Sequence, residues 1–130
     1  METIIKFIIV FVFCVQISTS KAKTIDGHSV DLQVLDKVTS RIDNIKIQVG
    51  KNYRFGSLKI EIYMCKKNPP EEIPEDFVLM QIYDEINLEN IELVFQGWMI
   101  SSEPSLAPFE HPNYDVWVKN CIIDEKNSNS

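Results

Sequence analysis

Between residues 33 and 122 the hydrophobic positions recur mostly every second residue, the spacing of strands that bury one face. Ile45, Ile47 and Val49 alternate with Asn44, Lys46 and Gln48. Leu58, Ile60, Ile62 and Met64 alternate with Lys59, Glu61 and Tyr63, and Ile91, Leu93 and Phe95 share one parity in a later run. Gln33–Thr39 reads as a first strand, and Tyr53–Phe55 as a short one between turns at Gly50-Lys51-Asn52 and Gly56-Ser57. Phe77–Tyr83 is apolar on both parities, which predicts a central strand. Gly97 interrupts the strand carrying Trp98, so a bulge that re-aims Trp98 is expected there. Val116-Trp117-Val118 starts the last strand, and Trp117 shares parity with Cys121. By the same counting, Cys65 falls opposite the apolar face of Leu58 to Met64, at the sheet's end rather than in the core.

The connections are polar or proline-rich. Cys65 to Asp76 contains Pro69, Pro70 and Pro74 beside Glu71 and Glu72. It reads either as a docking loop or as a cover that blocks pairing at a sheet edge. Asp84–Asn90 reads as a polar connection, and Ser101–Pro112 as a long loop with three prolines. Residues 21–32 look polar and aperiodic, so they are expected to be a mobile lead-in whose loss costs little stability. Residues 125–130 read as a disordered tail. The domain over 33–124 is therefore predicted to be all-β. A compact antiparallel β-sandwich or a partly open β-barrel, with long proline-containing loops, fits short strands joined by turns.

The first twenty residues have a different pattern. One early Lys6 precedes the apolar run Phe7–Ile17, and Ser18-Thr19-Ser20 follows. This is the layout of a secretory signal peptide with cleavage after Ser20, which predicts export to the periplasm or cell envelope. The apolar run is shorter than the roughly 20 residues a membrane span requires, so no span is expected after cleavage. Cleavage removes Cys14 and leaves Cys65 and Cys121, an even pair in an oxidising compartment, predicted to be bonded. A metal site would have only Cys65, Cys121 and His111, without a CxxC spacing, and is not favoured. The chain has 130 residues and a net charge of −6, which argues against a nucleic-acid partner.

Candidate chemistry is sparse. His111, with Glu110 beside it or Asp115 four residues on, is the one acid/base candidate. No nucleophile elbow, zinc-protease motif or phosphate loop accompanies it. The plainer reading has His111 and Asp115 hydrogen-bonding the backbone of the long loop. No cofactor or catalytic residue is assigned. The favoured function is a non-catalytic interaction or structural module, with an envelope protein as partner. Its contact surfaces would be Pro69, Pro70, Glu71 and Glu72 and the loop bearing Glu110 and His111. The alternative is a small-ligand or peptidoglycan-fragment binder built on an aromatic cluster of Trp98, Tyr114 and Trp117.

Five ordered blocks carry a resemblance. They are Leu35-Asp36-Lys37-Val38-Thr39, Tyr53-Arg54-Phe55-Gly56-Ser57-Leu58, Cys65 to Glu72, Phe95-Gln96-Gly97-Trp98-Met99 with Ser101-Ser102, and Glu110-His111-Pro112 with Tyr114 to Trp117 and Cys121. Together they resemble the exported alphaproteobacterial family called domain of unknown function 2155. The resemblance implies a small exported domain with a paired cysteine, and no activity or cofactor. That family usually has Gly where Ser40 stands and a basic residue at Asn68, neither of which is expected to threaten the fold.

Overall fold

The computed structural model describes residues 1–13 and 23–124, so Cys14, the expected cleavage after Ser20 and the tail from residue 125 lie outside the described residues. Glu2–Phe13 is an α-helix, α1. Among the described residues no helix is long and apolar enough to cross a membrane. Eight strands follow: β1 (Ile25–Asp26), β2 (Ser29–Asp36), β3 (Arg41–Gln48), β4 (Asn52–Phe55), β5 (Leu58–Lys67), β6 (Asp76–Asn87), β7 (Asn90–Ile100) and β8 (Tyr114–Ile122). One sheet runs β1-β5-β6-β7, with β4 also on β5, and the other runs β3-β2-β8. Both are antiparallel and neither closes into a barrel, so the architecture is the sandwich.

The core lies between the sheets. Val30, Leu32 and Val34 of β2 face Ile60 of β5 and Val78, Met80 and Ile82 of β6, and each of these seven residues is 0% exposed. Each such side chain contributes about 1.5–3 kcal/mol by leaving water. β6 is central as predicted, lying between β5 and β7. Its inner row reads Asp76, Val78, Met80, Ile82, Asp84: apolar in the middle, with an aspartate at each end.

The lead-in is a correction. Residues 21–32 contain β1 and the start of β2, and Val30 and Leu32 are core residues. The alternation Val30-Asp31-Leu32-Gln33-Val34 gives the inner residues of the sheet's central strand. The segment Asp84–Asn90 is likewise mostly strand, and the β6–β7 hairpin turns only at Leu88-Glu89.

Three single-residue bulges account for the other departures. On β5, Ile62 pairs with Met80 but Met64 with Leu79, so Tyr63 is extra. The inward parity switches, Met64 turns out and Cys65 turns in. On β8, Val118 pairs with Leu32 and Asn120 with Asp31, so Lys119 is extra and Cys121 turns in while Trp117 does not. Both cysteines are therefore core residues, contrary to simple counting. On β7 the extra residue is Val94, not Gly97: Phe95 pairs with Ile82 and Leu93 with Tyr83. Phe95 packs against the core, whereas Leu93 turns out. Gly97 stays in the ladder opposite Met80 at φ 145°, a backbone region that favours glycine.

The β2–β3 turn bears on the family pattern. Asp36 Oδ1 accepts from the amides of Val38 at 2.9 Å and Thr39 at 3.2 Å. The Thr39 amide, with that of Val38, holds the Asp36 carboxyl below its ordinary value. Ser40 follows at φ 58°, the left-handed region. A glycine here would relieve the strain that a Cβ meets in this region.

Candidate functional site

Each aspartate at the end of the β6 inner row reaches across to the β8 side of the sandwich. At one end His111, 7% exposed, places Nε2 2.8 Å from Asp84 Oδ2. Its Nδ1 accepts from the Asn113 amide at 3.1 Å, so the proton is on Nε2 and is donated to Asp84. The ring stacks on Phe109 with centroids 5.8 Å apart and lies 5.3 Å from the Tyr114 ring. Phe109 in turn meets Phe95 edge-on, and Tyr114 meets Phe55. Burial acts to raise the pKa of Asp84, but the hydrogen bonds from His111 and the Ile86 amide outweigh it and hold the carboxyl below its ordinary value.

The expected carboxylate partners of His111 are corrected by this geometry. Glu110 is exposed, and Asp115 pairs with Lys37 at 3.0 Å. Lys37 also donates to the His111 carbonyl at 2.8 Å. Both ring nitrogens are occupied and the ring lies against Phe109 and Tyr114, so the imidazole pins the long loop to β6. It presents no free nitrogen to a substrate proton. Sequence reasoning missed Asp84 because it is 27 residues away from its partner. The available signal was its inward parity with Val78, Met80 and Ile82.

At the other end Asp76 is 9% exposed. Its Oδ1 accepts from the Cys121 amide at 2.9 Å and from Lys67 Nζ at 2.9 Å, and Oδ2 accepts from the Ser101 hydroxyl at 3.3 Å. Beside it the Cys65–Cys121 disulfide joins the two sheets, with Cα atoms 5.8 Å apart. Gly27 lies directly on the bond, where a Cβ would meet the Cys65 sulfur at 2.9 Å and the Ile122 carbonyl at 2.8 Å. Its amide donates to the Cys65 carbonyl at 2.8 Å and the His28 amide to Ile122 at 2.9 Å, so this short stretch straps the cystine.

The loop with Pro69, Pro70, Glu71 and Glu72 starts here. Asn68 closes it by donating from its amide to Glu75 at 3.0 Å and from its side chain to the Ile73 carbonyl at 2.9 Å. Pro70, Glu71 and Glu72 are exposed. The loop overhangs a hollow of about 190 Å³ shared with Ile25, Lys67 and Ile123. Glu75 ties the loop to the end of β7, accepting from the Ser101 hydroxyl at 2.9 Å, the Ser102 amide at 3.1 Å and the Ser102 hydroxyl. Burial acts to raise the pKa of Glu75, but these bonds, led by the Ser102 hydroxyl, hold it below its ordinary value.

The three aromatics of the expected ligand cluster are not brought together. Trp98 pairs with Leu79 on the outer face of the larger sheet and is 40% exposed. Trp117 lines a cleft of about 220 Å³ with Met99, Pro104, Pro108, Phe109 and Asp115. Tyr114 belongs to the His111 stack and borders a separate cleft of about 560 Å³, with Tyr53, Phe55, Arg41 and Arg54. Both arginines are already paired, Arg41 with Asp43 and Arg54 with Glu85. Among the described residues no group of three or more His, Cys, Asp or Glu is placed to hold a metal ion.

The outer face of the larger sheet holds what the sequence pattern obscured. Met64, Leu79 and Trp98 are successive partners across β5, β6 and β7, and Phe77 pairs with Ile100 in the next row. Met64 is 47% exposed, and Leu79, Phe77 and Ile100 are half-buried. Lys66 and Asp26 flank one side, and Lys59 and Glu61 the other.

These features define an antiparallel two-sheet β domain, cross-linked through its core, with a pinned long loop and an apolar row on one outer face. A family model described as an uncharacterized protein conserved in bacteria, domain of unknown function 2155, matches residues 30–121, and the chain belongs to that family. It is also similar to an uncharacterized protein of Rickettsia prowazekii (strain Madrid E), 38% identical over 88 residues, which is 68% of this chain and 57% of the relative. The chain thus spans little more than half the length of that relative. No solved structure matches it.

Proposed function

We propose that this protein is an exported, non-catalytic interaction module of the cell envelope. The observation that carries the reading is the row Met64–Leu79–Trp98, an apolar stripe on the solvent side of a sheet. A contiguous exposed apolar patch of this kind marks a surface that another molecule covers. Export is supported by the N-terminal pattern and by the buried disulfide, a bond that persists in oxidising compartments. A small-ligand reading is supported by the cleft of about 560 Å³, which falls in the usual range for such sites and is bordered by Tyr53, Phe55 and Tyr114.

Cell fractionation, N-terminal sequencing and site-specific photo-crosslinking test the reading together. A mature chain starting near Lys21 in the envelope fraction, with adducts from position 98 and none from Lys46 on the other sheet, is expected. A chain retaining Met1 in the cytosol, or equal crosslinking from both positions, overturns it.

A further inference from the structure

The β6–β7 hairpin extends past the sheet that supports it. The β5–β6 ladder begins at the pair Leu58–Asp84, so residues beyond Asp84 have no β5 partner. They continue as a two-stranded arm, held at its tip by the Glu89 amide donating to Asn87 Oδ1 at 3.0 Å. Its large aliphatic side chains face water: Ile86 is 70% exposed, Leu88 80% and Ile91 50%, and Leu93, 45% exposed, lies at its base opposite Tyr83, which β5 still supports. Among the described residues the tip stays exposed, and a two-stranded hairpin standing alone is marginally stable at best. The three exposed aliphatics of the arm have no role in the described fold.

The charges carried by the arm itself have one sign. Residues 85–93 contain Glu85, Glu89 and Glu92 and no Lys or Arg. Glu85 is held by Arg54, whereas Glu89 and Glu92 are exposed and make no ion pair among the described residues.

We propose that this arm is a docking site for a cationic, apolar segment of a partner protein. The aliphatic side chains would pack against the partner's apolar residues, and Glu89 and Glu92 would pair with its Lys or Arg. Complementary charge of this kind sets partner choice and steers encounter. The same acids repel an anionic lipid surface, and two copies meeting tip to tip would oppose carboxylate to carboxylate. This deepens the interaction-module reading by naming the partner's chemistry, on a surface separate from the Trp98 row.

The probe is a short synthetic peptide of alternating Leu and Lys, titrated into the isotopically labelled mature chain. Amide shifts are expected to map to residues 85–93 and to weaken with salt. Leu88→Ser is expected to lower affinity at least about tenfold, the equivalent of withdrawing one aliphatic side chain from an interface. The paired change Glu89→Gln with Glu92→Gln should lower it and remove most of the salt dependence. Leu88 is exposed, so an unchanged melting temperature will show that its variant folds. Equal binding of a Ser/Lys peptide or of a Leu/Glu peptide overturns the proposal. So do shifts scattered over the domain, preferential binding to phosphatidylglycerol vesicles, or self-association that Leu88→Ser abolishes. If tip variants leave photo-crosslinking from position 98 intact and bind peptide normally, the arm proposal falls and the module reading stands.

Discussion

The two ends of the sandwich are fastened by different chemistry. Asp76 and Asp84 stand at opposite ends of one inner row on β6, and each holds the β8 side. At the Asp76 end the fastening is covalent, through Cys65–Cys121, and a single carboxylate gathers an amide, an ammonium and a hydroxyl. At the Asp84 end there is no bond to reduce. One imidazole between aromatic rings links a carboxylate on one side to a loop amide on the other. The contrast teaches that a long irregular loop can be pinned without a covalent bond when its one polar ring is satisfied at both nitrogens. It also assigns a different vulnerability to each end, because reductant acts directly at only one of them.

The largest way to break the contrast is at the cystine. Cys65→Ser or Cys121→Ser should cost about 2–5 kcal/mol, with the double variant no worse than either single one. Chemical denaturation with and without reductant measures this, and the reductant effect should vanish in the variants. Single variants as stable as the parent would mean that the covalent end is not the stronger one. Next, Asp76→Ala leaves the buried Cys121 amide without its acceptor and should cost about 1–3 kcal/mol even with the disulfide intact. Denaturation of the oxidised protein checks it.

At the other end, His111→Leu should cost about 1–2 kcal/mol by leaving Asp84 Oδ2 and the Asn113 amide without their partner. This end has a pH signature. Asp84 is lowered from an unfolded value of 3.8, so its contribution is fully present above that value and is lost as pH falls through the lower folded one. The stability gap between parent and Asp84→Asn should therefore narrow as pH falls below about 4. A gap that widens in acid would reverse the assignment of Asp84 as the ionised acceptor. The smallest expected effect lies outside both ends and calibrates them. Ser40→Gly should stabilise by about 1 kcal/mol, through relief of the left-handed backbone, and a differential melting measurement resolves it.

The sandwich was legible because its strands alternate and Phe77–Tyr83 is apolar on both parities. The alternation from Val30 to Val34 was equally legible, and grouping its start with the aperiodic residues before it hid the first half of the second sheet's central strand, of which only Gln33 onward was read as strand. The bulges were not legible. Nothing in the residue types of Tyr63, Val94 or Lys119 marks them as extra, because a bulge is fixed by what the neighbouring strand must align. The site suffered for the same reason. An unbroken count set Cys65 on the wrong side, grouped Leu93 with Phe95, and gave Trp117 and Cys121 one parity that the bulge at Lys119 separates. His111 was singled out correctly as a residue that matters to its loop, while its partner Asp84 sat in a stretch taken for a polar connection. The Asp76 and Glu75 contacts depend on Ser101 and Ser102, about 25 residues away, and become visible only once β6 and β7 are paired.

The bulges make the position of the cystine a question of chain length. A strand has only two sides, so one added or removed residue sends everything beyond it to the other side. Tyr63 and Lys119 are each such an added residue, and each lies within two positions of a cysteine. Deleting either would leave every side chain of the core available and still aim one sulfur at solvent and the other inward. The cross-link therefore depends on two matched insertions in strands far apart in the chain. When relatives are aligned, a gap beside either cysteine should be accompanied by a compensating residue on the same strand, because the spacing there carries as much information as the cysteines do.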